Sequence, residues 1–551
     1  MIRLQRQEIG VNKAVTVIAS KRSFKACRFL RSCLIRQLTI LCMFFITAHS
    51  QAQDIAEVNE LISAWQTEEA RNVLEGLKAK GESSPLFDLI SGRLAFMTGD
   101  YQDAVDLFDS ALSADPSLES QVAGMVNTAR DTLKHLGQMN ELRSEDGRFL
   151  LRYFNEDRLL VPYLMEVLQA TDKALSEDFQ YIPPGRVVVE IYPTADYLAK
   201  VSSLTEEDIE TSGTIALCKY NRLMFTSPRG LVRGYGWRDT VAHEFVHYYV
   251  TKYSANTVPI WLHEGIAKFQ EIRWRSPPMR HLAPPQEDLL ARSLESGQLI
   301  TFDQMHPSMA KLPSQDAASL AFAEVHLVID FLYKRGGYQQ LRELLTNLRA
   351  GSDMDQSLVK SYGLDLNGVW SEWLTAMKAE GFKRYPGLVQ RSLKFKRPGD
   401  EEEPEAEYDS IQEKDIKDWA HIGELLRARG RYHAALREYQ KAEAKGGDGH
   451  LVVQNGIAES LLELKRPVDV PATLQRVLDY YPTYLSTYIN LGRAFIALKE
   501  PQRAVLAFED AVGINPFHPL PHQALLKLYR ELGDTEKSSR AERALKLLQT
   551  R

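Results

Sequence analysis

An internal repeat near each end of the chain constrains its fold more than any other feature. In the segment PLFDLISGRLAFMTGDYQDAVDLFDSALSADP, five residues recur at the spacing of a helix-turn-helix unit of about 34 residues: Gly92, Ala104, Phe108, Ala111 and Pro116. The small residues allow two antiparallel helices to approach closely, and Phe108 fills the space between them. Pro116 cannot continue the second helix. Stacked helical hairpins are therefore predicted.

The same pattern is clearer in the C-terminal part of the chain. It occupies two strong units and two weaker ones, at about 451–484 and 519–551. Its positions in the strong units are Trp419, Gly423, Ala435, Tyr439 and Ala442, and then Tyr488, Leu491, Gly492, Phe495, Ala504, Phe508, Ala511 and Pro516. Both ends resemble tetratricopeptide repeats. The resemblance implies all-α arrays at 53–139 and 413–551, with a concave face that can hold a protein partner.

The first 52 residues differ from the rest of the chain. They contain nine lysine and arginine residues against one acid, Glu8, and they run into the apolar segment LTILCMFFITA. That segment is well short of the roughly 20 residues that span a bilayer, and Ser50-Gln51-Ala52 supplies the small residues that a signal peptidase recognises. We predict a signal peptide over 1–52, cleaved after Ala52. An uncleaved membrane anchor is the alternative.

Charge and cysteine content limit the possible partners. The chain has 67 basic and 73 acidic residues, so removing nine and one leaves 58 and 72, a net charge of −14 for residues 53–551. Such a surface repels nucleic acid and anionic lipid, so we expect no nucleic-acid partner and no stable membrane span after cleavage. Only Cys218 remains after cleavage, so the fold must rest on packing without an internal disulfide.

The middle region, residues 140–395, is not repetitive. Residues 148–153 (RFLLRY) and 186–193 (RVVVEIYP) have the composition of strands, and 213–228 has that of a hairpin turning at Tyr220-Asn221. Helical patterns follow, with Gly336 and Gly351 as predicted ends. Strands followed by helices predict an α+β domain.

The segment His243-Glu244-Phe245-Val246-His247 lies in the first of these helical patterns. Residues four apart share one helix face, so both imidazoles can reach one zinc ion while Glu244 lies beside them, within reach of a metal-bound water. Two histidines of an ordinary core are the alternative. Asp239, one turn earlier, either orients His243 or only complements the helix dipole.

Three residues of the next helical pattern are candidates for a third ligand: His263, Glu264 and Glu271. Glu264 stands 17 residues after His247, and a carboxylate with two imidazoles leaves an open position for catalysis. Glu271 is two turns further on, roughly 10 Å along the helix, which is too far for both carboxylates to reach one ion. We expect it at most to contact a residue that binds the metal. Gly265 predicts a close approach between the two helices. We therefore choose Glu264.

These two segments, HEFVH and VPIWLHEGIA, resemble those of gluzincin metallopeptidases, specifically the peptidase MA-like domains of bacterial proteins. The resemblance covers about residues 145–380. It implies a zincin-like α+β fold in which His243, His247 and Glu264 hold one zinc ion and Glu244 is the general base for a zinc-bound water. The resemblance also implies a peptide or protein substrate and a bacterial source. The predicted signal peptide implies export, and we expect a periplasmic or otherwise extracytoplasmic location.

The sequence identifies no clear donor for the oxyanion of a peptidase. Phe322 stands where the family tends to have tyrosine, so a phenolic donor is in doubt. His326 is nearby, although a histidine on an apolar helix is more often a core residue. Tyr248 and Tyr249 are closer in sequence, but we expect them to pack within the domain.

Residues 396–412 begin with KRPGDEEEPEAEYDS, an acidic, proline-containing linker. We expect few contacts across it, and a chain without residues 413–551 should then remain folded. Two functions are compatible with the sequence. One is an exported zinc metallopeptidase whose repeats dock a substrate or partner; the other is a catalytically inactive, peptidase-like scaffold for protein interaction.

Overall fold

A computed structural model describes residues 53–396, 411 and 413–549. The predicted signal peptide and nearly all of the predicted linker lie outside the described residues. Within those ranges, no helix combines the length and the apolar character needed to cross a membrane.

The N-terminal array consists of helices in antiparallel pairs. An added Cβ atom at Gly92 would lie 2.9 Å from the ring of Phe108, which confirms the packing predicted for these two positions. The Ser84 hydroxyl accepts the backbone N–H of Phe87 and starts the second pair, where Pro85 is the first helical residue. The helices are α1 (53–63), α2 (Thr67–Ala79), α3 (Pro85–Thr98), α4 (Tyr101–Ala114) and α5 (Glu119–Leu136).

A five-stranded mixed sheet follows, with the strand order β1-β2-β3-β5-β4. Strand β2 pairs with β3 in parallel, as does β3 with β5, and both edge strands are antiparallel to their neighbours. The hairpin predicted at Tyr220-Asn221 is confirmed, and both residues have positive φ. The first strand was missed because its residues are mostly polar and exposed. The strands are β1 (Met139–Arg143), β2 (Phe149–Phe154), β3 (Val187–Tyr192), β4 (Ala216–Lys219) and β5 (Arg222–Thr226).

Helices cover the sheet and complete the predicted α+β domain, which the structure confirms. One helix lies between β2 and β3, so the strands do not all precede the helices as predicted. The long helix α12 breaks at Gly337, which has φ 61° and ψ −162°, one residue after the predicted Gly336. The helices are α6 (Val161–Phe179), α7 (Ala195–Val201), α8 (Glu206–Ser212), α9 (Trp237–Ser254), α10 (Ile260–Gln270), α11 (Pro284–Ser296), α12 (Gln315–Arg349), α13 (Met354–Tyr362) and α14 (Leu366–Glu380).

Gly265 lies at a close helix crossing, but the partner is not the predicted one. An added Cβ atom there would lie 2.7 Å from Cγ1 of Ile329 and 2.9 Å from the carbonyl oxygen of Val325. Both belong to α12, so the close approach is between α10 and α12. The prediction of a close α9–α10 approach at this residue was wrong, because Gly265 faces away from α9 when Glu264 faces it.

The C-terminal array forms four helical hairpins, as its repeats predicted. Added Cβ atoms at Gly423 and Gly492 would lie 2.9 and 2.5 Å from the rings of Tyr439 and Phe508, so small and aromatic residues pair in both strong units. The helices are α15 (Lys414–Ala428), α16 (Tyr432–Ala444), α17 (Leu451–Glu463), α18 (Val470–Tyr480), α19 (Leu485–Ala497), α20 (Pro501–Ile514), α21 (Pro519–Leu532) and α22 (Thr535–Gln549).

This array packs directly on the middle domain, and the expectation of few contacts across the linker was wrong. The backbone N–H of Tyr235 donates to the carbonyl of Ile514 at 3.2 Å. The backbone N–H of Val389 donates to the hydroxyl of Tyr481 at 2.9 Å. Buried apolar residues of both arrays and of the sheet domain form one contiguous core. The composition of the linker predicts only the character of the linker itself. It does not predict whether the domains on its two sides pack against each other.

A buried ionic cluster joins the N-terminal array to the sheet. Glu190 of β3 accepts hydrogen bonds from Arg222 at 3.0 Å and from Arg152 at 3.3 Å, and from the hydroxyl groups of Tyr101 on α4 and Tyr192. Burial raises the pKa of Glu190, but the two guanidinium groups hold it below its usual value. The carboxylate is therefore ionised and bridges two cations.

Replacing Glu190 by glutamine is expected to destabilise the fold by about 3–5 kcal/mol, because the fully buried Arg222 loses its carboxylate partner and Arg152 keeps only Glu141. The free energy of unfolding can be measured by urea titration. Glu372→Gln is the control, since Glu372 pairs with Arg335 at the surface, where both side chains are at least 40% exposed, and should cost about 0–1 kcal/mol. Equal costs for the two variants would contradict a structural role for the cluster.

Candidate metal centre

Two consecutive helices supply the candidate ligands. Helix α9 is buried on nearly all sides, and it carries the histidines in the middle of its length. It ends at Ala255, whose left-handed φ of 55° turns the chain back toward α10. Pro259 precedes the first turn of α10 and has extended backbone. This reversal brings Glu264 alongside the histidines.

The Glu264 carboxylate contacts both imidazoles. Its Oε2 atom lies 3.3 Å from Nε2 of His243 and 3.1 Å from Nε2 of His247. The two rings are perpendicular, with centroids 4.7 Å apart. His243, Glu244 and His247 also offer one ligand atom each within 4.8 Å of one another. The structure thus brings together all four residues predicted from the sequence.

The other two candidates for a third ligand lie beside the histidines. The ring of His263 stacks on that of His247, with centroids 4.3 Å apart, and its Nε2 lies 2.9 Å from the Thr251 hydroxyl. Glu271 approaches His243 from behind, with Oε2 at 3.3 Å from Nδ1. Such a contact to the outer ring nitrogen orients a metal-binding histidine. Neither residue occupies the position between the two Nε2 atoms.

Asp239 does not orient His243. Its carboxylate accepts hydrogen bonds from Nε1 of Trp274 at 2.8 Å and from Nη2 of Arg275 at 2.6 Å. The chain segment after α10 brings these partners to the start of α9, an approach that local sequence spacing does not reveal. Glu271 has the role that was considered for Asp239.

The imidazoles and carboxylates of this centre shift one another's pKa values. Burial lowers the pKa of His243, yet the carboxylates of Glu264 and Glu271 together raise it to about 10. Burial raises the pKa of Glu264, but the two imidazoles hold it well below its usual value. Two buried carboxylates, those of Glu244 and Glu264, therefore lie beside the two imidazoles, and Glu271 contacts His243 at its outer ring nitrogen. This donor set, two nitrogens and a carboxylate oxygen converging on one point, fits a zinc ion with an open coordination position.

Glu244 is held against the edge of the sheet. The backbone N–H of Cys218, on β4, lies beside its carboxylate and acts to lower its pKa. Burial raises the pKa of Glu244, and the neighbouring histidines oppose that shift. The side chain is thus positioned at the cleft wall, with an elevated affinity for a proton.

The candidate oxyanion donors are not found at the centre. The Phe322 ring lies over His243, with centroids 5.9 Å apart, and has no hydroxyl. His326 is fully buried and accepts the backbone N–H of His281 at 3.1 Å. Tyr249 donates to Asp172 at 2.6 Å, and Tyr248 is fully buried in the core. Of these, only Phe322 lines the cleft.

The centre opens into a cavity of about 1140 Å³ with walls from three parts of the chain. The N-terminal array contributes Trp65 and Arg93, the segment 390–394 forms another wall, and the loop 481–484 of the C-terminal array closes one side. This volume exceeds the about 300–1000 Å³ of typical small-molecule sites. The sequence contained no signal for this arrangement, because it arises from the docking of distant segments.

Residues 176–379, which contain the centre, match the sequence model of the Peptidase MA superfamily. Tetratricopeptide repeat models match residues 55–119 and 485–518. No curated protein matches the chain. The chain thus has a Peptidase MA superfamily domain with tetratricopeptide repeats on both sides.

Several solved structures resemble part of the chain. A MamA RS-1 double mutant is 21% identical over 25% of this chain and 78% of its own, with a TM-score of 0.24. A thermophilic TPR protein of Thermus thermophilus is 24% identical over 24% of this chain and 73% of its own, with a TM-score of 0.22.

Proposed function

We propose that this Peptidase MA domain, with its flanking tetratricopeptide repeats, is an exported zinc-dependent peptidase. One observation carries the proposal: the Glu264 carboxylate lies within 3.3 Å of Nε2 of both His243 and His247, with Glu244 adjacent. Two histidines that only pack in the core or lie at the surface do not require a carboxylate between their Nε2 atoms. His243, His247 and Glu264 would hold the zinc ion.

The residues of the chain have separate roles in hydrolysis. Zinc, when bound, polarises the scissile carbonyl and makes water more acidic. The Glu244 carboxylate accepts the proton of the attacking water and then donates it to the amine nitrogen of the leaving group. The burial that raises its pKa makes it a stronger base and so favours the first of these steps, the uptake of the proton. Glu271 and His263 hold the two imidazoles in orientation.

A second candidate function is a catalytically inactive scaffold for protein interaction. It is favoured by Phe322, which lies over the centre without a hydroxyl to stabilise an oxyanion. Hydrolysis of an unfolded protein and of mixed peptides by the purified, zinc-loaded chain separates the two functions. A chain that binds zinc but cleaves neither substrate would contradict the peptidase assignment.

Export and partner binding belong to the same proposal. The basic and apolar composition of residues 1–52 supports secretion, and a periplasmic location is consistent with it. The repeats support docking of a protein substrate or partner. N-terminal sequencing of the exported protein, with Gln53 expected as the first residue, tests the cleavage.

Replacing Glu264 by alanine is expected to remove most of the bound zinc, because the carboxylate that faces both Nε2 atoms is lost. His263→Ala and Glu271→Ala should still bind zinc when it is saturating. Their zinc affinity should fall by about 10–100-fold where the substitution removes a contact that orients His243 or His247. Zinc content after dialysis and competition with a chelator measures both effects. Full occupancy in the Glu264 variant, with loss in either of the others, would show that the third ligand is a different residue.

A further inference from the structure

The charges of the cleft change with distance from the metal centre. Of the four acidic residues that line it, Glu244, Glu264 and Glu271 belong to the centre, and Asp316 is exposed. Seven lysine and arginine residues line the same cleft. Two of them have acidic partners: Lys268 pairs with Glu271, and Lys311 with Asp208. The other five basic residues lie in the remaining walls, where the described residues supply no acidic side chain except Asp316.

Three of the cleft cations have no carboxylate partner among the described residues. Arg93 donates to the side-chain oxygen of Asn59, and Lys219 donates to the Ser203 hydroxyl and lies 5.2 Å from the centroid of the Tyr220 ring. Lys394 lines the opposite part of the cleft, in the segment that pairs with residues 230–232.

Arg93 and Lys219 are also partly desolvated. Burial lowers the pKa of both groups, and no acidic group offsets the shift. A cation removed from water without a counter-charge is costly, and a bound anion would offset that cost.

These cations are not a consequence of the overall composition. Residues 53–551 carry 58 basic and 72 acidic residues, so an average surface patch would be acidic. A basic cleft in an acidic protein attracts negatively charged ligands to one place and repels them elsewhere.

The position of Lys219 links this charge to the proposed base. Lys219 is the last residue of edge strand β4, and the backbone N–H of the preceding residue, Cys218, lies beside the Glu244 carboxylate. An extended peptide that lies along this edge would place its side chains beside Lys219 and close to Glu244. The Arg93 side chain lies in the wall formed by the N-terminal array, and Lys394 lies in a separate wall.

We propose that the cleft selects extended peptides with acidic side chains, which pair with Lys219, Arg93 and Lys394. If the selected peptides are also cleaved, the inference rests on the proposed peptidase function. The preference in binding is independent of that function. The cavity volume of about 1140 Å³ accommodates a stretch of peptide.

The test measures binding separately from cleavage, with the full chain carrying Glu244→Gln. Fluorescence anisotropy is recorded with three labelled peptides whose two ends are blocked, identical except that four positions are all Glu, all Gln or all Lys. The Glu peptide is expected to bind at least about tenfold more tightly than the Gln peptide, because each of the three cations should increase its affinity by about threefold. The preference should largely disappear in about 1 M salt, where the Debye length is about 3 Å.

Variants identify the responsible cations. Arg93→Gln, Lys219→Gln and Lys394→Gln are each expected to reduce the preference for the Glu peptide by about threefold. Lys360→Gln is the matched control, because Lys360 also donates to a serine hydroxyl, that of Ser352, but lies outside the cleft. Circular dichroism verifies folding, and the two lysine variants decide the result if Arg93→Gln does not fold.

Equal binding of the three peptides, tighter binding of the Lys peptide, or a preference that survives all three substitutions would overturn the inference. The unmutated chain separates this result from the proposed function. Acid-selective binding by a chain that hydrolyses nothing would support the inference and contradict the peptidase assignment. Hydrolysis without any charge preference would support the peptidase assignment and contradict the inference.

Discussion

Replacing Glu244 by glutamine is expected to lower the rate of peptide hydrolysis by about 10²–10⁴-fold, with zinc content and fold unchanged. Glutamine has nearly the same shape, and its amide oxygen can still lie beside the backbone N–H of Cys218. It cannot accept the proton of an attacking water, so the substitution removes only the proton transfer. The value of kcat/KM on a blocked peptide, with zinc content measured on the same sample, tests this expectation.

The matched control is Glu324→Gln. Glu324 is also a fully buried helical glutamate that accepts one backbone N–H, that of Ile300, at 3.0 Å. Burial raises its pKa to about 8, so at neutral pH it is largely protonated and glutamine resembles its normal state. It does not line the cleft, and activity should be preserved. Equal activity of the Glu244 variant and the parent would exclude Glu244 as the base.

Removing residues 413–551 is expected to destabilise the remaining domain by at least about 3 kcal/mol, equivalent to a fall in Tm of about 6–12 °C for a domain of this size. The truncation exposes apolar core that the C-terminal array covers and removes the partner of Tyr235. It also removes Arg540, which pairs with Glu166 at 2.7 Å and lies over the ring of Tyr163. It deletes the loop 481–484 from the cleft wall, so peptide binding should weaken as well.

Thermal unfolding of the truncated and full chains measures the first effect, and peptide binding the second. A point substitution tests the same interface without truncation. Gly234 has φ +67°, and an added Cβ atom would lie 2.4 Å from the carbonyl oxygen of Ile514. Gly147 has φ +72°, and an added Cβ atom there would have no neighbour within 4 Å. Alanine at this position therefore costs about 1–2 kcal/mol of stability, the cost of its left-handed backbone conformation alone.

Gly234→Ala should therefore lower Tm clearly more than Gly147→Ala. If the truncated chain retained both the Tm and the peptide affinity of the parent, the array would be an independent module, as the linker composition had suggested. A similar Tm for the two alanine variants would likewise show that docking at Ile514 contributes little to stability.

Local features of the fold could be predicted because each has a short-range cause. The repeat positions follow from the fit of an aromatic ring against a glycine, as at Gly92 and Phe108. The hairpin at Tyr220-Asn221 follows from its turn residues and the flanking strand pattern. Strand β1 had no such signal, since Met139–Arg143 is polar and is ordered by pairing with β2.

The candidate centre was predictable in part for the same reason. Helical periodicity alone places His243 and His247 on one face with Glu244 beside them. The choice of Glu264 depended on the reversal between α9 and α10, which the short connecting segment allowed. The partner of Asp239 was not predictable, because Arg275 and Trp274 reach it only after α10 has packed against the domain.

The helical repeats, the α+β character of the middle region and the residues that can converge on a metal ion could be inferred from the sequence, since all three arise from interactions between residues close along the chain. That both arrays pack on the domain and form walls of its cleft is seen only in the folded structure. The same is true of the contact of Gly265 with α12 and of the contact of Glu271 with His243. These contacts depend on the shape and charge of surfaces formed by distant segments, and a single sequence has no periodic signal for them.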